Sequence, residues 1–167
     1  MGPPPSSKPD QSPASALSLE DRALLEQARV LQRAAQSGRV QPLLRGKHLG
    51  LLCDNDTLPA AALFRRAASE LGAHVAHIGV SLSERSPAQD VAHTARMLGR
   101  LYDAIECEGM EGKLVAQVAD LAGIPVFDGI ATDEAWLARM ALLLGPESAL
   151  EENRRYALQA RLLLCVV

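Results

Sequence analysis

The 167-residue sequence predicts a single small α/β domain, a four-stranded parallel sheet with helices on both faces and a last helix closing the chain. Two observations carry that expectation. Short apolar runs alternate with amphipathic stretches of helical length, the order that builds a parallel sheet covered on both sides. A chain of this length that is 48% hydrophobic and 22% charged buries one core and has too little material for two.

Residues 1–16 are rich in Pro and Ser without an apolar period and read as a disordered tail, leaving 17–167 as the domain. Ser18 and Asp21 resemble a capping box. After them Leu24, Leu25, Ala28, Leu31, Gln32 and Ala35 recur at helical spacing up to Gly38, a C-terminal stop. Residues 48–53 (HLGLLC) form a first buried strand, 59–71 a helix ended by Gly72, and 74–79 (HVAHIG) a second strand. Residues 87–102 are an amphipathic helix with Val91, Ala95, Leu98 and Tyr102 on one face. The third strand is 104–107 and the next helix 113–122, stopped by Gly123. The fourth strand is 124–127 (IPVF), and a helix over 133–144 is capped by Thr132. A final helix runs from about residue 149. Its end, Leu162 to Val167, is apolar nearly all round and demands burial against the domain or another chain.

Several function classes are excluded at once. A formal net charge of -3 offers no basic surface for nucleic acid and repels an anionic membrane. No apolar run spans a bilayer and no signal-peptide order opens the chain, so the cytoplasm is the expected compartment. Cys53, Cys107 and Cys165 are far apart, form no C-x-x-C pair and sit in apolar stretches, where a thiol acts as a small hydrophobe. His48, His74, His77 and His93 are scattered, and His74 and His77 face opposite sides of their strand. No cofactor is called for.

Four segments together carry a resemblance: LLRGKHLGLL (43–52), FRRAASELGAHVAHIG (64–79), DVAHTARMLGRLYDAI (90–105) and LAGIPVFDGI (121–130). In type, order and spacing, residues 17–144 resemble the N-terminal, carbamoyl-phosphate-binding domain of aspartate and ornithine carbamoyltransferases. The closing segment ENRRYALQARLLL (152–164) is similar to the family's returning C-terminal helix, with the amino-acid-binding domain between them absent.

The resemblance implies a phosphate site and then removes it. Family members place Ser-Thr-Arg-Thr-Arg after the first strand, where backbone amides open a helix and arginines pair with phosphate. Here Thr57-Leu58-Pro59-Ala60-Ala61 stands instead, so Asp56, Thr57 and Leu58 are what remains of the loop. Pro59 removes one amide donor. A further family arginine falls near Glu108, a charge reversal, and the family's His-Pro-Cys/Thr-Gln falls around residues 132–135 with no equivalent. Asp54 and Asp56 add negative charge; like charges about 4 Å apart cost on the order of 4 kcal/mol at an effective dielectric near 20. Arg65 and Arg66 lie too far into the helix to replace the lost arginines.

No catalytic residue is therefore assigned, and the leading expectation is a non-catalytic pseudoenzyme with a structural or regulatory role beside amino-acid metabolism. The resemblance also implies a homo-oligomer, a trimer in which the 81–87 loop (SLSERSP) meets a neighbour, and a full-length carbamoyltransferase as a partner. A second expectation is a small-ligand or cation site on the acidic carboxyl edge of the sheet. Asp54, Asp56, Glu106, Glu108 and Asp128 fall there at strand ends and suit Mg²⁺ or an amine-bearing ligand. A third is residual amino-acid carbamoyltransferase activity.

Overall fold

The computed structural model describes residues 16–167 apart from Val80; the tail expected over 1–16 lies almost wholly outside the described residues. Elements follow the order α1 (Leu19–Gln36), β1 (His48–Leu52), α2 (Pro59–Glu70), β2 (His74–Ile78), α3 (Ala88–Leu101), β3 (Ala104–Cys107), α4 (Gly112–Ala122), β4 (Val126–Asp128), α5 (Glu134–Leu143) and α6 (Leu150–Val166). All four strands are parallel, in the order β2-β1-β3-β4. The expected α/β sheet is present, and its topology locates the site. The chain winds outward from β1 to β2, then crosses back to place β3 on the other side of β1. That reversal opens a crevice beyond the carboxyl ends of β1 and β3, where open α/β sheets take ligands.

The local signals act as their chemistry dictates. Ser18 caps α1, its Oγ accepting from the Asp21 amide at 3.0 Å. Gly72 and Gly123 take positive φ to stop α2 and α4. One sheet face buries Leu49, Leu51, Ala104, Phe64, Leu137, Met140 and Leu158 beneath α1, α2, α5 and α6. The other buries Leu52, Ile105, Cys107, Leu98 and Val115 beneath α3 and α4. Gly99 sets the approach of those two helices, since a Cβ there would lie 1.9 Å from the Ala122 carbonyl oxygen.

Helix α6 is held by polar groups as well as by its leucines. Buried Asn153 accepts from Gln32 of α1 at 3.0 Å and donates to the carbonyls of Ala141 and Gly145 at 3.0 and 2.9 Å. Gln159 donates to the Ala67 carbonyl of α2 at 3.2 Å. Of the apolar end expected to bury against the domain or another chain, the domain covers Leu162 and Leu163, whereas Leu164, Cys165 and Val167 are exposed on the single chain. Only one face of α6 meets the domain, so the rest of its apolar end reaches solvent.

Two local expectations are corrected. Strand β4 begins at Val126 instead of residue 124. Pro125 cannot donate to a ladder; only its carbonyl joins the edge, accepting from Ile105. Helix α5 is capped by Asp133, whose carboxylate accepts from the Trp136 amide, because the Thr132 hydroxyl is already bonded to the Gly129 carbonyl at 2.8 Å. Helix α2 starts with Leu58 at its cap position and no side-chain cap at all.

Candidate functional site

The crevice at the topological reversal is a cavity of about 190 Å³ lined by Asp54 after β1, Ser83 and Glu84 of the 79–87 loop, and Glu108, Gly109 and Glu111 after β3. Leu82, Met110 and Leu114 supply its apolar wall. Four carboxylates and no lysine, arginine or histidine appear among these residues. Two larger grooves, about 380 and 240 Å³, run along α1 toward α6 and the 39–43 segment. They are mainly apolar and lie away from the strand ends, so the smaller cavity is the one with chemistry.

Glu108 is the innermost of the four. Its backbone amide donates to the Leu52 carbonyl at 2.8 Å, which extends the β1–β3 pairing one residue past the strand and fixes the side chain at the crevice. The residue is only 8% exposed, and its Oε1 has no hydrogen-bond partner among the described residues. Burial pushes its carboxyl above the usual carboxylate range. At the rim, hydrogen bonding to the Glu84 carboxyl is the first cause raising Glu111, with desolvation and the Glu84 charge adding to it.

The five strand-end acids expected to converge are divided by the fold. Asp54 and Glu108 line the same cavity. Asp56 turns toward β2, pairing with Arg65 at 3.1 Å and approaching His77 Nδ1 at 3.7 Å. His77 donates from Nε2 to the Cys53 carbonyl at 2.7 Å, since a carbonyl only accepts. Glu106 points under the β4 turn: Oε1 accepts from the Gly129 and Ile130 amides at 2.8 and 3.1 Å, and Oε2 from Ala131 at 3.1 Å. Burial still prevails over those three donors, and its pKa rises to about 7. Asp128 is exposed at the end of β4, near Gly112 at the start of α4. Among the described residues no three metal-ligating side chains come together as an ion would need.

The loop after β1 keeps its donors to itself. Asn55 Oδ1 accepts from both the Thr57 amide, at 3.0 Å, and the Thr57 hydroxyl, at 2.6 Å. Leu58 is exposed, and Pro59 occupies the first position of α2. An anion arriving at this helix start would meet fewer free amides than an ordinary first turn presents. The nearby thiols offer no nucleophile: burial first, then the Glu106 and Asp128 charges, raise Cys107 to about 12, and burial with Glu108 beside it raises Cys53.

Sequence reasoning missed Glu84 and Glu111. Both lie in connecting segments without periodicity, Glu84 after β2 and Glu111 between β3 and α4, and only the tertiary fold brings them to one cavity. Trp136 bridges α5 to α1: its Nε1 donates to Asp21 at 2.9 Å and the Arg161 guanidinium stacks 4.7 Å from its ring centre.

Comparison with known proteins decides the family. The profile of the aspartate/ornithine carbamoyltransferase family, carbamoyl-P binding domain, matches residues 14–137. The chain belongs to that family. It is 39% identical over 115 residues to an ornithine carbamoyltransferase of Actinobacillus pleuropneumoniae, covering 69% of this chain and 34% of that protein. A catabolic ornithine carbamoyltransferase of Burkholderia mallei is 41% identical over the same length, again with 69% of this chain and 34% of the relative covered. The chain thus spans about a third of these relatives.

Among solved structures, the ornithine carbamoyltransferase of Pyrococcus furiosus superposes with a TM-score of 0.60 at 27% identity, over 69% of this chain and 37% of that one. The Trypanosoma cruzi aspartate transcarbamoylase in complex with phosphate reaches 0.63 over 77% and 43% of the two chains; at 22% identity this shows the fold alone. The family profile ends at residue 137, within α5, so α6 lies beyond it. Within this carbamoyltransferase-family domain, the crevice of the carboxyl edge is acidic and the loop after β1 carries no arginine.

Proposed function

We propose that this carbamoyltransferase-family domain does not catalyse carbamoyl transfer and acts as a structural or regulatory homologue. The carboxylate lining of the crevice carries the reading. A phosphate dianion needs positive charge or converging amides, and the site supplies Asp54, Glu84, Glu108 and Glu111 instead. The nearest arginine after β1, Arg65, is paired with Asp56. Pro59 and the Asn55–Thr57 bonds withdraw donors from the helix start. Stabilising a departing phosphate is the part of the chemistry most exposed to these changes.

The same reading places the protein as a homo-oligomer, a trimer by family resemblance, with a full-length carbamoyltransferase as a candidate partner. The cytoplasm is the compartment proposed, by analogy with the metabolic enzymes it resembles; among the described residues no helix is long and apolar enough to cross a membrane. The test is phosphate release from carbamoyl phosphate, with ornithine or aspartate as acceptor. The expected rate equals the uncatalysed background. Acceptor-dependent turnover by the purified protein overturns the reading and restores a residual transferase.

A further inference from the structure

We infer that the crevice between β1 and β3 is a binding site for a small primary alkylammonium ion, with Glu108 receiving the charged group and Asp54 beside it. The inference rests on the phosphate-excluding reading of the same crevice and gives it a ligand class. Glu108 Oε1 is the observation that points to a ligand. A carboxylate oxygen on a residue 8% exposed, with no partner among the described residues, is costly to leave unsatisfied in the folded chain. Its cavity lies where the topology puts ligands, and an ionised carboxylate only accepts, so the complement that also favours the ionised form is a cationic donor.

Size and lining narrow the class. About 190 Å³ is below the roughly 300–1,000 Å³ of sites for drug-sized molecules, so a compact ion fits and a nucleotide does not. Leu82, Met110 and Leu114 form an apolar wall against which a short alkyl chain buries its methylenes while its ammonium meets carboxylates. A bare metal ion is the poorer match. It needs several oxygens at fixed short distances, and no three such side chains converge among the described residues. An ammonium makes three directional bonds and tolerates a looser ring of acceptors.

The experiment is a titration of the whole chain, followed by amide NMR shifts, with n-butylammonium chloride, n-butanol and MgCl₂ at matched ionic strength. The result expected is saturable n-butylammonium binding with shifts centred on Gly109 and Glu111, and none with n-butanol. Glu108→Gln weakens it by about tenfold or more, the loss of one charge-assisted bond. Glu111→Gln, at an exposed rim position, keeps the fold secure and weakens binding a few-fold; it carries the test should Glu108→Gln fail to fold. Equal binding of n-butanol, shifts away from the crevice, Mg²⁺ binding in place of the amine, or variants that bind as the parent does each overturn the site. A parallel titration with carbamoyl phosphate separates the two readings. Silence from both ligands removes the amine site alone, while carbamoyl phosphate shifts at Gly109 remove the phosphate-excluding reading.

Discussion

Replacing Glu106 by Gln tests the buried carboxylate that holds the β4 turn. Oε1 accepts two backbone amides and Oε2 a third, all three buried. A glutamine keeps an oxygen for Gly129 and Ile130 but turns an NH₂ group against the Ala131 amide, donor to donor. One bond is lost and one buried amide stranded, a cost of about 1–2 kcal/mol where the native side chain is protonated. The pH dependence then has a defined sign. Glu106 ionises near 4.5 when unfolded and about 7 when folded, with burial the first cause. Between those values the folded chain holds a proton that the unfolded chain has released, so its contribution to stability falls as pH rises through that window. Integrated across it, the loss is about 3 kcal/mol.

Urea denaturation from pH 4.5 to 8 reads both effects, provided the transition is two-state. The parent is expected to lose stability toward pH 8. Glu106→Gln starts lower at pH 5, flattens the curve and crosses to meet or exceed the parent by pH 8, while Glu108, also raised by burial, leaves a residual slope in both. Glu106→Leu, which strands all three amides, is expected to cost about 3 kcal/mol or more at pH 5, with the gap narrowing toward pH 8 as the parent loses the Glu106 contribution. A Glu106→Gln curve parallel to the parent's would refute the assignment of this carboxylate as the main pH-linked group.

Three further outcomes follow from the packing. Gly99→Ala drives a methyl into the Ala122 carbonyl and is expected to lower stability by about 2 kcal/mol or more on urea denaturation, through separation of α3 from α4. Asn153→Ala leaves Gln32 and the Ala141 and Gly145 carbonyls without their partner, a loss of about 2–4 kcal/mol measured the same way, with α6 and the 144–149 link exchanging amide hydrogens faster. Under native conditions a thiol reagent is expected to modify exposed Cys165 alone, and all three cysteines once urea unfolds the chain.

Where an element is specified by its own residues, the sequence was enough. Strands β1 and β3 announce themselves as apolar runs, α1 by Ser18 and its heptad-like leucines, and α2 and α4 by the glycines that end them. Errors arose where two neighbouring residues compete for one role. Thr132 and Asp133 are both good caps, and only the Gly129 carbonyl, three residues back, decides between them. The site was less legible. Strand ends place Asp54 and Glu108 together, but Asp56 is drawn off by Arg65 nine residues later and His77 on the next strand, and Glu106 by amides of another loop. Those are tertiary pairings with no sequence period. Glu84 and Glu111 reach the cavity the same way. Cys165 shows the converse: its segment is apolar, yet it is exposed among the described residues.

The central claim, that this family domain has exchanged a phosphate site for an acidic crevice, is most directly tested by calorimetric titration of the whole chain with carbamoyl phosphate. No saturable heat and no thermal stabilisation are the predicted result. Saturable binding in the micromolar range, abolished by competing inorganic phosphate, would contradict it, and would mean that backbone amides or a neighbouring subunit overcome the four carboxylates lining the crevice.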